Sequence, residues 1–395
     1  MVAADRPMRI LFLVHNVAYK GGAYYRAQSF TRYLVAQGHE VTLMAISENR
    51  RFAFEEKQVD GFRLVNSPDL LWGIGRTGWD PWDTFRRCQW IRRHPVDIVH
   101  TVDTRPAVVL PALYARRRHG ARFIADWTDW WGHGGASSER SSQLVSKVLG
   151  PLELHFEEHY RPYADGTVAI SHALFDRAKN LGIDESTMLY LPTGCDTHGI
   201  QATDMQDARQ QLGLDPEATY IGYLGNIYQT DADLMSAAMS KLTSDARLIM
   251  VGNFKADMDP ALESSGRLLR TGHVSFQKML LNLSACNALV LPLTDSIANR
   301  GRWPSKINDY LAVGRPVVSC AVGDLTDLFQ GNDIGRLTEA NAEAFAQGID
   351  AVLSDEDAML RMGNNARMLA EQSLSTDAVS AKLEDFYRQC LNDPS

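Results

Sequence analysis

Near its beginning the chain reads as a buried strand, a glycine turn, a helix and a second buried strand. Residues 9–15 enclose an unbroken apolar run, and Gly21 and Gly22 follow it. Apolar residues then recur at helical spacing over 25–37, before a second strand over 40–46. Two strands joined through a helix run parallel with a right-handed crossover. The pattern therefore predicts a parallel sheet covered by helices.

The same alternation of strands and helices continues through both halves of the chain. The other predicted strands lie at 97–101, 122–125, 166–170, 220–223, 248–251, 288–291 and 316–319. Because 395 residues exceed what a single core usually holds, we expect two Rossmann-like α/β domains. Ligands collect beyond the carboxyl ends of the strands in open parallel sheets, so two facing domains would define one cleft.

The composition argues against several classes of protein. No apolar run is long enough to cross a bilayer, and Asp5, Arg6 and Pro7 interrupt any signal-peptide core, so we expect a cytoplasmic protein. The five cysteines include no Cys-x-x-Cys pair, which argues against a zinc site and a disulfide framework. A net charge of −8 and the lack of a recognised module argue against nucleic-acid binding.

The segment 303–318 reads as a polar loop, a short helix, a glycine stop and a buried strand. Pro304 suits a first helical turn, and the Ser305 side chain can accept a hydrogen bond from an unpaired amide. Unpaired amides at such a helix start, together with Lys306, favour a phosphate. Asp309 lies about one turn farther on the same side, where it can accept hydrogen bonds from ribose hydroxyls. The segment therefore predicts a nucleotide site.

The motif in this segment, Pro-Ser-Lys-x-x-Asp-Tyr-Leu-Ala-x-Gly-Arg-Pro-Val-Val, resembles the donor-binding motif of GT-B glycosyltransferases, most closely the retaining family 4 enzymes. Further segments similar to that family, in the same order, are 8–44, 168–196, 220–226, 248–253, 271–274 and 288–292. The resemblance covers nearly the whole chain. It implies the GT-B fold, with two Rossmann-like domains facing each other across a cleft.

The resemblance also implies which domain binds which substrate. Residues 1–200, joined by a C-terminal helix over 373–395, would bind the acceptor, and residues 205–372 would bind a nucleotide diphosphate sugar. Lys306 would stabilise the leaving diphosphate. The other residues implied at the donor site are Gly21, Gly22, Gly225, Asn226, His273, Val274, Pro304, Ser305 and Asp309. No further cofactor and no metal is expected.

A second candidate cluster lies at 126–135, where Asp-Trp-Thr-Asp-Trp-Trp-Gly-His-Gly-Gly follows a predicted strand. A histidine common in related enzymes lies near Asp129. We therefore expect Asp129 and His133 to hold the donor sugar or the acceptor hydroxyl. Asp126 and Asp129 could instead bind a metal, since hard cations prefer carboxylate oxygens. That interpretation is the weaker one, because Lys306 and the helix starts already supply positive charge.

Two positions depart from the family pattern. The family has an arginine after the glycine that corresponds to Gly225 and a lysine shortly afterwards, whereas this chain has Asn226 and then Gln-Thr-Asp at 229–231. The family's acidic residue eight positions before Asp309, implied to touch the donor sugar, is Gly301 here. Lys306 is therefore the leading candidate for neutralising the diphosphate.

The segment 85–93 mixes arginines with large apolar side chains. It lies in the half formed by residues 1–195, which carry 24 Lys and Arg against 21 Asp and Glu. Arginines mixed with large apolar side chains at helical spacing are found in helices that lie on anionic membranes. We expect either peripheral contact with the inner face of a membrane or a solvated basic helix that packs Phe85 and Trp90 inward.

These observations predict a retaining, metal-independent glycosyltransferase that moves a sugar from a nucleotide diphosphate to an acceptor hydroxyl. The departures at Asn226 and Gly301 leave a second hypothesis open. In that alternative the protein is a nucleotide-sugar epimerase or hydrolase of the same fold, or a non-catalytic subunit that binds a nucleotide sugar.

Overall fold

The computed structural model describes residues 6–72, 77–137 and 143–392, with side chains from 149 onward in the helix that starts at 143. The chain forms two compact units. The first contains the chain up to Thr193, Gly301–Trp303 and the residues from Thr376 onward, and the second contains Gly194–Arg300 and Pro304–Ser375. The junction between the units thus falls at 193/194, before the predicted boundary at residue 200.

The first unit is built on an eight-stranded sheet with the order β3-β4-β2-β1-β5-β6-β7-β8. All neighbours pair parallel except β3, which runs antiparallel to β4 at the edge. Its strands are β1 Arg9–Val17, β2 Glu40–Ile46, β3 Glu55–Val59, β4 Phe62–Ser67, β5 Ile98–Val102, β6 Arg122–Trp127, β7 Gly166–Ala169 and β8 Met188–Tyr190.

The second unit contains a six-stranded, fully parallel sheet with the order β11-β10-β9-β12-β13-β14. This is the strand order of the Rossmann fold. The strands are β9 Tyr220–Leu224, β10 Arg247–Val251, β11 Leu268–Gly272, β12 Ala288–Leu291, β13 Val317–Cys320 and β14 Gly335–Thr338.

Helices connect the parallel strands in both units. Those of the first unit are α1 Gly22–Ala36, α2 Pro81–Arg93, α3 Pro106–His119, α4 Gln143–Glu158, α5 His172–Asn180 and α15 Thr376–Asn392. The remaining helices are α6 Met205–Leu212, α7 Gln229–Lys241, α8 Pro260–Ser264, α9 Phe276–Ser284, α10 Ile297–Gly301, α11 Lys306–Val313, α12 Leu325–Phe329, α13 Ala342–Leu353 and α14 Glu356–Gln372.

The C-terminal helix α15 belongs to the core of the first unit. Its apolar side chains, including Leu383, Phe386 and Tyr387, join the buried cluster formed by β1, β2 and α1. A Cβ on Gly166 of β7 would lie 2.8 Å from the Phe386 ring, so the helix packs directly on the sheet. The helix begins at Thr376 rather than at the predicted residue 373.

The sequence missed the edge strands β3, β8, β11 and β14, and it also missed β4, which lies between β3 and β2. Strand β3 reads Glu-Glu-Lys-Gln-Val and is almost fully exposed, so it carries no apolar alternation to detect. Strands β11 and β14 also lie at an edge and are only partly buried. The predicted central strands agree with the structure within two residues at each end.

Candidate functional site

The second unit exposes its backbone at the carboxyl edge of three neighbouring strands. Gly225 follows β9, Gly252 follows β10 and Gly272 ends β11, and their φ angles are 76°, 114° and 64°. A Cβ on Gly252 would lie 3.4 Å from the Gly225 Cα atom. Glycine is the residue that adopts these φ values without strain and permits such close approach. The edge can therefore meet a ligand through main-chain atoms.

Lys306 lies over the end of β9. Its Nζ is 5.3 Å from the centroid of the Tyr223 ring, and its Cε would be 3.6 Å from a Cβ on Gly225. Strand β9 lies between β10 and β12, where the strand order of the sheet reverses. Ligands of doubly wound sheets bind at this switch point. The structure therefore places a cation where a nucleotide diphosphate would be expected.

The expected side-chain cap from Ser305 is wrong. Ser305 has helical dihedral angles, φ −52° and ψ −24°, and its side chain makes no capping hydrogen bond. The carbonyl groups of Pro304 and Ser305 instead accept hydrogen bonds from Ile307 N and Asn308 N. A residue that is already helical cannot fold its hydroxyl back onto the first amides, because capping requires an extended conformation.

Helix α11 is fixed to the sheet by Tyr310. The Tyr310 hydroxyl accepts a hydrogen bond from Leu224 N at 2.9 Å and donates one to Val290 O at 3.3 Å. It therefore bridges β9 and β12 on either side of the switch point. Tyr310 is fully buried, and a buried hydroxyl that satisfies two strands holds the start of α11 in a fixed position.

Asp309 is a carboxylate with an unusual pKa. Burial raises the pKa of Asp309 to about 7, and the Asp196 carboxylate adds to the rise while Lys306 opposes it. The neighbouring Asn308 donates its side-chain Nδ2 to the Gly194 carbonyl at 3.2 Å, which ties α11 to the start of the unit. Asp309 can accept a hydrogen bond as a carboxylate above neutral pH and carries a proton below it.

The departure from the family's cationic pair has a structural counterpart. Asn226 is exposed, and its carbonyl accepts a hydrogen bond from the Tyr223 hydroxyl at 2.9 Å. Asp231 is buried and accepts hydrogen bonds from Thr294 N at 2.8 Å and Thr294 Oγ1 at 2.9 Å, which fixes the loop after β12. These positions organise the edge rather than supply charge. His273 and Val274 directly follow Gly272 at the same edge.

The glycine pair of the first unit opens helix α1. Gly21 has a φ of 83°, and a Cβ there would lie 2.4 Å from Asn16 Nδ2. Helix α1 begins at Gly22 with no side-chain cap and no acidic residue in its first turn. No cap side chain occupies its first amides, and their use in binding an anion stays a prediction.

Asp126 is committed to a buried ion pair, which contradicts its use as a metal ligand with Asp129. Its carboxylate accepts hydrogen bonds from Arg26 Nε at 2.7 Å and Nη2 at 3.1 Å. Burial alone would raise the pKa of Asp126, but the charge of Arg26 and hydrogen bonding hold it below its usual value. Within the described part of the chain, no cluster of three or more His, Cys, Asp or Glu could hold a metal.

The hydrogen-bond network around Asp126 continues to the C-terminal helix. His100 Nε2 lies 3.3 Å from Asp126 Oδ2, and the Tyr387 hydroxyl lies 2.7 Å from His100 Nδ1. Burial lowers the pKa of His100, so the neutral imidazole donates to Asp126 and accepts from Tyr387. This network ties α1, β5, β6 and α15 together below the site.

The loop 127–135 is held by Glu157. This fully buried carboxylate accepts hydrogen bonds from Trp127 Nε1, Trp131 N and Gly132 N, and pairs with Arg177. Asp129 lies half-buried on the loop, and His133 is exposed, with its Nε2 3.2 Å from Glu158 Oε1. The two expected catalytic residues therefore lie on one loop, which Glu157 holds in place. His133 is exposed on that loop and lies close to Glu158.

Sequence reasoning missed a carboxylate and a histidine at the switch point of the first unit's sheet, between β1 and β5. Asp103 directly follows β5, and His15 lies near the end of the adjacent β1. The distance from His15 Nδ1 to Asp103 Oδ2 is 3.7 Å. The available signal was position, because His15 ends one predicted strand and Asp103 lies two residues after another. Nothing in the sequence showed that these two strands are neighbours.

Gly301 packs against the Trp130 side chain. Within the first unit, which includes Gly301–Trp303, a Cβ on Gly301 would lie 2.5 Å from the Trp130 Cβ, and the Gly301 carbonyl accepts a hydrogen bond from Ser171 Oγ at 3.0 Å. An acidic side chain at 301 would require Trp130 to move. The absence of an acidic side chain at position 301 therefore leaves the space that the Trp130 side chain occupies.

The segment 85–93 packs only partly as expected of a solvated basic helix. Arg87, Trp90 and Ile91 are buried, whereas Phe85, Arg92 and Arg93 are exposed. Packing of Trp90 inward is as predicted, and packing of Phe85 inward is wrong. Among the described helices, none is both long and apolar enough to cross a bilayer.

Comparison with known proteins places the chain in a family. Residues 20–198 match the family described as Glycosyltransferase Family 4, and residues 218–355 match the family described as Glycosyl transferases group 1. The chain belongs to the GT-B glycosyltransferases. The predicted fold and family are thereby confirmed, and the two matched regions correspond to the two α/β units.

Individual relatives are distant. This GT-B chain is 24% identical over 334 residues to a D-inositol 3-phosphate glycosyltransferase of Nocardia farcinica, covering 79% of the chain but 63% of that protein. Sucrose-phosphate synthase from Thermosynechococcus elongatus superposes with a TM-score of 0.76 at 18% identity, over 97% of this chain and 99% of that one. Anabaena HepE in complex with UDP-glucose gives a TM-score of 0.68 at 14% identity, over 96% and 98% of the two chains.

Proposed function

We propose that this GT-B protein transfers a sugar from a nucleoside diphosphate sugar to a hydroxyl group of an acceptor, with retention of configuration. The observation that carries the proposal is the position of Lys306 over the end of β9, beside the glycine edge formed by Gly225, Gly252 and Gly272. This edge offers backbone contact and one cation at the place where doubly wound folds bind nucleotides.

The chemistry requires charge stabilisation on the leaving group. When the bond between the sugar and the nucleoside diphosphate breaks, negative charge grows on the diphosphate and the sugar gains oxocarbenium character. A preorganised ammonium group such as that of Lys306 interacts more strongly with this charge than with the bound donor, and so it accelerates the step. Lys306 supplies positive charge without a metal, so we propose metal-independent transfer.

Asp309 and the glycine edge would bind the nucleoside. The Asp309 carboxylate is placed one turn after Lys306 and would accept hydrogen bonds from the ribose. His273 and Val274, next to Gly272, would line the base. UDP-glucose is the first donor to test, because HepE, which shares the fold, has been crystallised with it. The acceptor would bind the first unit, at the carboxyl edge of its sheet.

The test is a thermal-shift and turnover experiment on the full chain. UDP, GDP, ADP and dTDP and their common sugars are screened for a rise in melting temperature, then UDP-glucose turnover is followed by nucleotide release. A ligand at 100 times its Kd adds about 2.7 kcal/mol to the free energy of unfolding. We expect one nucleotide class to raise the melting temperature, and Lys306→Ala to lower turnover at least about tenfold.

The matched control is Lys278→Ala, which removes an exposed lysine on α9 of the same unit. It should leave both readouts unchanged. No shift with any nucleotide would overturn the proposal. Nucleotide release that never depends on an acceptor would favour the hydrolase or epimerase alternative, and binding without turnover would favour a non-catalytic subunit.

We further propose that the first unit contacts an anionic membrane surface through the ends of α2 and α3. Arg92 and Arg93 lie in the last turn of α2, and a run of three arginines at 116–118 ends α3. A hydrogen bond of 2.8 Å between His119 Nε2 and the Ile91 carbonyl holds the two helix ends together. This cluster keeps Arg92 and Arg93 of the segment 85–93 and leaves out Arg87 and Trp90, because those two side chains are buried.

Acidic residues near the cluster are already paired. Asp165 accepts from Arg116 and lies 3.5 Å from Arg122, and a groove of about 510 Å³ runs between these side chains. Each exposed arginine near an anionic bilayer contributes about 1 kcal/mol. The variant Arg92→Glu/Arg93→Glu should lose sedimentation with phosphatidylglycerol vesicles, and Arg336→Glu, on the exposed edge strand β14, should not. Equal binding to phosphatidylcholine vesicles would contradict this proposal.

A further inference from the structure

The switch point of the first unit carries a carboxylate–imidazole pair that the family motif does not include. Strand β1 lies between β2 and β5, so the strand order reverses between β1 and β5. His15 lies at the end of β1 and Asp103 directly after β5, with 3.7 Å between His15 Nδ1 and Asp103 Oδ2. A ligand of this sheet would be expected where these two side chains meet.

Asp103 is held in an unusual backbone conformation. Its φ is 73°, in the left-handed region that non-glycine residues rarely adopt, and its side chain is almost fully buried. Such a conformation costs free energy and persists where the surrounding structure enforces it, often at a functional site. Here the Asp103 amide donates to the Asp126 carbonyl at 3.0 Å, which locks the turn onto the end of β6.

The Asp103 carboxylate uses its two oxygens for different partners. Oδ1 accepts hydrogen bonds from Trp131 Nε1 at 2.9 Å and from Thr104 N at 2.8 Å. Oδ2 is the oxygen that faces His15. One oxygen therefore anchors the carboxylate to the loop 127–135, and the other lies within ion-pair distance of the imidazole but beyond the range of a direct hydrogen bond.

The surroundings of the pair are closely packed. A Cβ on Gly78, whose φ is 81°, would lie 2.7 Å from both the His15 Cβ and the Arg105 Cβ. Arg105 stacks on Trp131 with its Cζ 4.5 Å from the ring centroid, and its Nη1 donates to Glu153 Oε1 at 2.6 Å. The packing fixes the position of the imidazole, as a group that must meet a substrate in one geometry requires.

We infer that His15 is a further residue that binds the acceptor hydroxyl, and that Asp103 is its positioning residue. This inference rests on the proposed transferase function. A carboxylate at Nδ1 favours the tautomer with the proton on Nδ1, so the opposite nitrogen, Nε2, carries the lone pair. Nε2 accepts a hydrogen bond from the acceptor hydroxyl and fixes the direction of its oxygen.

The variant Asp103→Asn separates this role from a structural one. Asparagine tolerates the left-handed conformation, and its amide oxygen can still accept from Trp131 and Thr104. Its amide nitrogen then faces His15 Nδ1 as a donor and favours the other tautomer. We expect an unchanged melting temperature and unchanged UDP binding. The rate of UDP release from UDP-glucose, with water or glycerol as the sugar acceptor, should fall on the order of 10- to 100-fold.

Trp131→Phe is the matched control, because it removes one hydrogen bond to Asp103 Oδ1, keeps the one from Thr104 N and leaves the pair with His15 intact. It should lower UDP release far less than Asp103→Asn. Histidine ¹⁵N chemical shifts of the wild type should show a protonated Nδ1 on His15, and Asp103→Asn should move the proton to Nε2. A wild-type His15 protonated on Nε2, or an Asp103→Asn enzyme with wild-type UDP release, would overturn the inference.

Failure of the proposed function would look different. If neither UDP nor another nucleotide raised the melting temperature of the wild type, the donor site would be wrong and the chemical shifts of His15 would still decide whether the pair has the stated geometry. The wild type could bind nucleotides while Asp103→Asn lost both nucleotide binding and turnover. Asp103 would then act on the fold rather than on the acceptor, and the inference would be wrong.

Discussion

The two sheets of this protein share a strand order around their central strand but carry different chemical groups at their carboxyl edges. At the end of β9 the second unit presents glycine backbone and one lysine. The first unit instead presents buried side chains: His15 near the end of β1, Asp103 directly after β5, Asp126 on β6 and Arg26 on α1. One edge is built from main-chain atoms and the other from ion pairs and hydrogen bonds.

The difference follows from what each edge would bind. A nucleoside diphosphate has the same phosphate groups whatever sugar it carries, so backbone amides and a cation suffice to hold it. An acceptor is recognised through the positions of its hydroxyl groups, which demands side chains fixed in direction. Buried charges that hold such side chains must be paired, because an unpaired one is costly.

The largest expected effect concerns the buried pair of the first unit. Arg26→Met leaves Asp126 buried without its cation and should reduce the free energy of unfolding by about 3–5 kcal/mol. Tryptophan fluorescence during urea unfolding measures this, since all eight tryptophans belong to the first unit. The double variant Arg26→Met/Asp126→Leu should recover most of the loss. A single variant as stable as the wild type would show that the pair contributes little.

The second prediction tests the donor edge through pH. Burial raises the pKa of Asp309 to about 7, so the unliganded protein holds a proton that the unfolded chain releases, and its stability falls as pH rises towards 7. Ribose binding needs the carboxylate and improves over the same range. UDP affinity should rise several-fold from about pH 6 to about pH 8 relative to Asp309→Asn. Parallel pH profiles of the two proteins would contradict this.

The third prediction tests the glycine edge. Gly252→Ala places a Cβ 3.4 Å from Gly225 at a φ of 114°, and should cost about 1–3 kcal/mol in stability and weaken UDP binding. Gly213→Ala is the control, because its φ is 67° but its Cβ would meet nothing within 4 Å. The control should lose about 1 kcal/mol and bind UDP as the wild type does. Equal UDP affinity in both variants would show that the edge is not in contact with the nucleotide.

Several features of the site could be predicted because they are local. Gly21, Gly22 and Gly225 each follow an apolar strand, and Lys306 begins a helix that a glycine ends, so position along the chain was enough to propose them. The capping role of Ser305 could not be tested in this way, since it depends on whether the residue is extended or helical. The sequence permits both conformations, and the structure shows the helical one.

The sequence by itself determined the alternation of strands and helices, the parallel sheets and the family of the chain, because buried strands and amphipathic helices have their own periodicity. Tertiary structure alone decided which strand ends are neighbours. His15 and Asp103 are far apart in the chain and meet because β1 pairs with β5. It also decided that Asp126 is committed to Arg26 and that Trp130 lies against Gly301. Such partnerships depend on packing between distant segments, which no local pattern encodes.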